Sequence, residues 1–232
     1  MPDGARWGMR FGILGPLEAS DDHGRQLVLG GRKQRAVLAI LLLRANEVVS
    51  SERLIEELWS GEAPASATKS LQVHVSRLRG ALANGGLGRE ERIVTEIGGY
   101  RVRVGPGELD REVFEGLVAE GDTAARTDDW EPASERFREA LDLWRGQPLS
   151  DFEYDSFAQG EIARLSELRV AAAEQWIEAE LALGHEAGVI GDLERLVREH
   201  PYRERLRSQL WWRCTGPDGR PTHLRSTVTA AP

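Results

Sequence analysis

Val37, Leu38, Ile40, Leu41 and Leu42 recur at helical spacing within residues 32–45, whereas the segment before them shows no such period. Residues 10–18 and 26–29 read as short β-like runs about a polar turn at residues 20–24. The pattern predicts a small N-terminal sheet, then a core helix that opens on Arg32, Lys33 and Arg35. Ser50 and Ser51 precede an amphipathic stretch over residues 52–59, a capped second helix. Residues 64–66 open a third, in which Leu71, Val75, Leu78 and Leu82 fall at i, i+4, i+7 and i+11 and mark one buried stripe. Helix, connector, helix is the helix-turn-helix arrangement.

Residues 84–88, Asn-Gly-Gly-Leu-Gly, break the third helix, and two β-rich runs follow at residues 93–97 and 100–104, joined by Gly98 and Gly99. A β-hairpin directly behind a helix-turn-helix is a wing. Beyond residues 105–107, Gly-Pro-Gly, helical periodicity takes over, with helices expected at 110–125, 130–144, 160–183 and 187–200 and one break at 146–149. The spacing of Ala133, Phe137 and Ala140 suggests stacked helix pairs of the tetratricopeptide kind. The predicted fold is therefore an α+β winged helix-turn-helix followed by an all-α, tetratricopeptide-like domain. The expected division is an extension at 1–8, the winged helix at 9–105, the helical domain at 108–210 and an atypical tail at 211–232.

A chain of 232 residues suits two domains, each expected to bury its own core, and 41% hydrophobic with 29% charged residues suits a soluble folded protein. The longest apolar run, residues 36–43, is too short to span a bilayer, and the first eight residues lack the features of a secretion signal, so a cytoplasmic protein with no membrane partner is expected. A single cysteine, Cys214, excludes an intrachain disulfide framework and a cysteine-rich zinc site. The net charge of −8 hides a split: residues 1–105 carry 15 Lys and Arg against 12 Asp and Glu, and the remainder carries 15 against 26. An acidic C-terminal half that faces away from the phosphates leaves DNA binding open.

On a helical wheel the buried stripe of the third helix leaves Lys69, Val73, Ser76 and Arg77 on the outer face, with Gln72, His74 and Arg79 flanking it. Such a face fits a major groove: Arg77 is placed to read guanine and Gln72 adenine, while Lys69, His74 and Arg79 suit phosphates. An isolated basic helix is ordinarily just a solvated face; its place between a short helix and a hairpin turns the reading toward DNA. On the wing, Thr95 and Tyr100 are candidate phosphate contacts and Arg101 a candidate for the minor groove.

Five histidines without metal-like spacing, and a glycine-rich stretch at 85–88 that lacks the Gly-Lys-Ser/Thr of a phosphate loop, argue against an enzyme, a metal or a cofactor. Trp130, Trp144 and Trp176 fall at helical spacing and are read as core rather than as a ligand groove. The competing reading is a helical-repeat scaffold or sensor whose acidic C-terminal surface binds protein and whose winged helix is vestigial.

The blocks Met9-Arg-Phe-Gly-Ile-Leu-Gly-Pro-Leu, Gly30-Gly-Arg-Lys-Gln-Arg-Ala, Val49-Ser-Ser-Glu-Arg-Leu-Ile-Glu-Glu-Leu-Trp, Leu71-Gln-Val-His-Val-Ser-Arg-Leu-Arg and Gly98-Gly-Tyr-Arg resemble the Streptomyces antibiotic regulatory protein family. Leu141-Asp-Leu-Trp-Arg-Gly, Arg164-Leu-Ser-Glu-Leu-Arg and His200-Pro-Tyr-Arg-Glu-Arg-Leu are similar to that family's bacterial transcriptional activation domain. The resemblance, over about residues 9–210, implies an OmpR-type winged helix that binds direct repeats upstream of secondary-metabolite genes as paired protomers and helps RNA polymerase start transcription. It also implies a DNA face containing Lys69, His74, Ser76, Arg77, Arg79 and Tyr100. With no receiver domain ahead of the winged helix, control by aspartate phosphorylation is not expected.

After Leu210 the helical pattern gives way to Trp211-Trp-Arg-Cys-Thr-Gly-Pro-Asp-Gly and a polar tail, where the family continues with another helix pair. Reverse translation of residues 210–223 with G/C-rich codons, read two bases later, gives V-V-A-L-Y-R-A-G-R-Q-A-D-A, which resembles the missing helix. A frameshift in the gene or an error in its sequence is the expectation, and loss of the capping pair is expected to loosen the helical stack.

Overall fold

A computed structural model describes residues 8–83 and 91–204. The expected extension at 1–8, apart from Gly8, the break at 84–88 and the tail at 211–232 lie outside the described residues.

The chain opens on an antiparallel hairpin, β1 (Met9–Gly12) and β2 (Glu18–Asp21), in which Met9 faces Asp21 and Gly12 faces Glu18. The second strand thus falls earlier than the expected run at 26–29. Its position follows from Asp21, whose carboxylate accepts from the backbone N–H groups of His23 and Arg25 at 3.0 and 2.8 Å and closes a turn immediately after β2. Of the expected run, Gln26 alone makes a bridge, to Ser20.

Three helices and a small sheet follow: α1 (Arg32–Leu43), β3 (Val49–Ser50), α2 (Ser51–Trp59), α3 (Ala67–Ala83), β4 (Ile93–Glu96) and β5 (Gly99–Val102). Ser50 caps α2 as expected, its side chain accepting from the Arg53 N–H at 3.2 Å. The sheet order is β3-β5-β4. The two-residue strand β3 is the element that hydrophobic pattern did not predict. Gly98 and Gly99 serve different needs. Gly98 holds φ +81° in the hairpin turn, whereas a Cβ at Gly99 would stand 2.1 Å from the Val49 carbonyl oxygen, so β3 reaches β5 only over a glycine.

The C-terminal half is all helix, apart from a 3₁₀ turn at Ser150–Phe152: α4 (Asp110–Ala125), α5 (Trp130–Asp142), α6 (Ser156–Ala182) and α7 (Glu186–Glu199). Consecutive helices pack on one another, α4 on α5, α5 on α6 and α6 on α7, as in a tetratricopeptide stack. Helix α6 begins four residues ahead of the expected Gly160, because its first turn buries Ala158 and packs Phe157 against the core.

The two halves share much of their core, although each was expected to bury its own. The largest apolar cluster crosses the boundary, from Phe11, Leu38 and Ile40 through Leu71, Val75 and Leu78 to Phe114, Trp144, Phe152 and Leu165, while two smaller ones, about Ile177 and Leu193 and about Ala133 and Phe137, lie within the helical half. Polar ties reinforce the shared core. Both carboxylate oxygens of Asp110, at the start of α4, accept from the Ile13 N–H at 2.9 Å, and one also accepts from the Leu14 N–H at 2.9 Å. Asp151 accepts from the Leu17 N–H at 2.7 Å and from Arg35 at 2.6 Å, and Arg32 pairs with Asp155. Two of the three basic residues at the start of α1, Arg32 and Arg35, are thus spent on the helical half. Among the described residues, no helix is long and apolar enough to cross a membrane.

Candidate nucleic-acid interface

Helix α3 buries Ala67, Leu71, Val75, Leu78 and Leu82, and this stripe presses against α1 and α2. Burial of one stripe dictates what the opposite face presents. Lys69, Gln72, Val73, Ser76 and Arg77 are all exposed on that face, Val73 at 40%. Arg32, Arg35, Arg53, Arg79, Arg92 and Arg101 each engage a carboxylate, but no ion pair involves Lys69 or Arg77 among the described residues.

The flanking residues are placed differently. Arg79 is half-buried and turned into the wing: its Nε donates to the Ile93 carbonyl at 2.8 Å and lies 2.7 Å from Glu91 Oε1, and its Nη2 donates to Thr95 Oγ1 at 2.8 Å. It brackets α3 to β4. Thr95 itself stays exposed. His74 is half-buried, and its Nδ1 has no hydrogen-bond partner among the described residues. Desolvation holds its imidazole below the ordinary histidine range, with the Arg77 and Lys33 cations adding to the effect. Lys33 is fixed nearby, donating to the Leu58 carbonyl at 2.8 Å with its ammonium 4.5 Å from the Trp59 ring centre.

Tyr100 lies opposite Thr95 in the β4–β5 register, but only 8% of it is exposed and its ring belongs to the core cluster. Arg101 is partly covered and ion-paired to Glu96 across the hairpin. The structure therefore gathers five of the ten expected residues on one open helix face, sets His74 and Thr95 at its margins, and spends Arg79, Tyr100 and Arg101 on holding the wing. Ile97, outside the ten expected residues, sits at the wing tip fully exposed, directly before Gly98 in the turn. No group of three or more His, Cys, Asp or Glu side chains arranged to hold a metal occurs among the described residues.

Comparison with known proteins matches residues 24–102 to the family "transcriptional regulatory protein, C terminal" and residues 109–214 to the "bacterial transcriptional activator domain". The chain is 38% identical over 208 residues to regulatory protein DnrI of Streptomyces peucetius, a match covering 87% of this chain and 75% of that protein. It is 36% identical to transcriptional regulatory protein MoaR1 of Mycobacterium tuberculosis over 87% of this chain and 65% of that one, and 37% identical to regulatory protein AfsR of Streptomyces coelicolor, of which it spans 20%. Among solved structures, Mycobacterium tuberculosis EmbR in complex with a low affinity phosphopeptide superposes with a TM-score of 0.85 at 36% identity, covering 89% of this chain and 54% of EmbR.

Proposed function

This chain belongs to the Streptomyces antibiotic regulatory protein family of DNA-binding transcriptional regulators, and on that premise we propose that it activates a secondary-metabolite biosynthetic gene cluster by binding direct repeats in its promoters. The family's members are regulators rather than enzymes. The observation that carries the proposal is the outer face of α3, where Lys69 and Arg77 stand exposed, without carboxylate partners among the described residues, beside Gln72, Val73 and Ser76. Arg77 reads guanine and Gln72 adenine; Val73 offers an apolar contact to a thymine methyl; Lys69 and Ser76 hold phosphates. His74 and Thr95 contact the backbone at the margins. Arg79 and Arg101 position the wing, and Tyr100 supports it from the core.

Direct repeats call for two protomers in the same orientation on one face of the duplex, with half-sites about 10.5 bp apart, one helical turn. The acidic helical half then lies away from the phosphates, where it meets RNA polymerase, and a DNA target puts the work in the cytoplasm. The 38% identity to a Streptomyces regulator supports the assignment to secondary metabolism. Footprinting on a direct-repeat promoter of the regulated cluster tests the proposal. Protection of two repeats that disappears when about five base pairs, half a helical turn, are inserted between them supports it; protection insensitive to spacing, or none by folded protein, refutes it.

A further inference from the structure

The wing holds its tip in a defined place. Strands β4 and β5 are joined by two residues, Ile97 and Gly98, with Glu96 facing Gly99 across the turn. Of the two, Gly98 alone takes a positive φ, +81°, so the backbone at Ile97 accepts any side chain. The Ser51 N–H, at the start of α2, donates to the Gly98 carbonyl at 2.9 Å and ties the turn to the helix-turn-helix. Arg79 ties β4 to α3 through the Ile93 carbonyl and Thr95, and Tyr100 sinks β5 into the core. The tip is therefore presented from the same frame as the open face of α3.

The turn leaves this position free to be polar, and it is not. Turn positions favour Gly, Asn, Asp, Ser and Pro, yet Ile97 is fully exposed and belongs to no apolar cluster among the described residues. Beside it, Glu96 is paired with Arg101 across the hairpin. That pair withdraws the guanidinium expected to enter the minor groove and neutralises the carboxylate next to the tip. What the tip holds out to a duplex is a branched apolar side chain. Side chains of this kind enter the minor groove, part a base step and kink the duplex.

We propose that Ile97 is a wedge that inserts from the minor groove at one base step beside each half-site and partly unstacks it. The proposal rests on α3 occupying the major groove. Arg77 and Gln72 then read base edges directly, whereas Ile97 reads deformability: a pyrimidine–purine step such as TA or CA yields to it, and a stiff A-tract resists. With half-sites about 10.5 bp apart, the two wedges fall on the same side of the duplex and their bends add.

The test uses the full chain and the direct-repeat promoter fragment, with 2-aminopurine replacing in turn each adenine outside the α3 contacts, since its fluorescence rises when it unstacks. Wild type is expected to raise the signal about twofold or more at one step per half-site, and Ile97→Ser to abolish the rise while Ile97→Leu, another wedge, keeps it. Replacing that step by an A-tract is expected to weaken wild type about fivefold and to leave Ile97→Ser unchanged. Arg77→Ala serves as the control for the major-groove contacts. Wild type that binds through Arg77 with no rise at any step, a rise that Ile97→Ser preserves, or equal A-tract penalties for the two proteins overturns the wedge and leaves the α3 reading standing. Folded wild type that binds no DNA at low salt overturns both.

Discussion

Arg79 on α3 donates from Nη2 to Thr95 Oγ1 on β4 at 2.8 Å, so the groove-facing helix and the wing are held in fixed relation by a residue that pattern alone assigned to phosphate. Its Nε contact with the Ile93 carbonyl, at 2.8 Å, makes the link bidentate. Arg79→Ala is therefore expected to destabilise the fold by about 1–3 kcal/mol, since it leaves a strand carbonyl unpaired. Arg77→Ala, which removes no contact among the described residues, is expected to fall within about 0.5 kcal/mol of wild type. Thermal unfolding of both variants separates a bracket from a reader; equal stability of the two contradicts the bracket.

Gly99 predicts a large effect from a small change. A methyl group there meets the Val49 carbonyl oxygen at 2.1 Å, a backbone atom that moves only if β3 leaves the sheet. Gly99→Ala is expected to cost about 1–3 kcal/mol, the usual penalty of overpacking, or more. Gly98→Ala meets open space and suffers only from its positive φ, about 1 kcal/mol. Denaturant midpoints that rank the two the other way refute this account of the wing.

Asp110 joins the N-terminal hairpin to the helical half through the Ile13 and Leu14 N–H groups and through Arg145 at 3.0 Å. Asp110→Ala strands two backbone donors, and a loss of about 2–5 kcal/mol is expected from the charged hydrogen bonds involved. Because the apolar cluster is continuous across the junction, the chain is expected to unfold in a single transition that moves as a whole in the variant. Two separated calorimetric transitions in wild type contradict the shared core.

His74 gives a pH dependence with a definite sign. Its pKa in the free protein lies below the ordinary value of about 6.5 through burial and the Arg77 and Lys33 charges. The unfolded chain therefore binds the proton more readily, and the His74 contribution to stability, complete above 6.5, declines as pH falls through the window beneath it. A DNA phosphate beside the imidazole raises the pKa in the complex, so binding takes up a proton and affinity rises on acidification. His74→Gln is expected to abolish that rise. An unchanged pH profile in the variant removes His74 from the phosphate contacts.

Most helices were legible because their signals are local. The stripe Leu71, Val75, Leu78 and Leu82 fixes which face of α3 is buried and so which is free, and Ser50 marks the start of α2 by its hydroxyl. What escaped the sequence depends on partners distant along the chain. Strand β3 has two residues and exists only because Gly99 admits it. Arg32 and Arg35 look like a basic patch until Asp155 and Asp151, more than a hundred positions away, claim them. The intramolecular partners of Arg79, Tyr100 and Arg101 are likewise out of its reach: periodicity gives the direction of a side chain but not the acceptor or the core that waits there.

The central claim is that the outer face of α3 binds DNA, and fluorescence anisotropy on a labelled direct-repeat promoter fragment at about 50 and 200 mM salt, with wild type and Arg77→Ala, tests it most directly. The account predicts wild-type binding that weakens steeply with salt, with the logarithm of affinity falling by about 0.9 per phosphate neutralised for each logarithmic step in salt. It predicts an Arg77→Ala affinity lower by about 1–3 kcal/mol on the specific site. Folded wild-type protein that fails to bind at low salt, or an Arg77→Ala variant that binds as tightly as wild type, contradicts it.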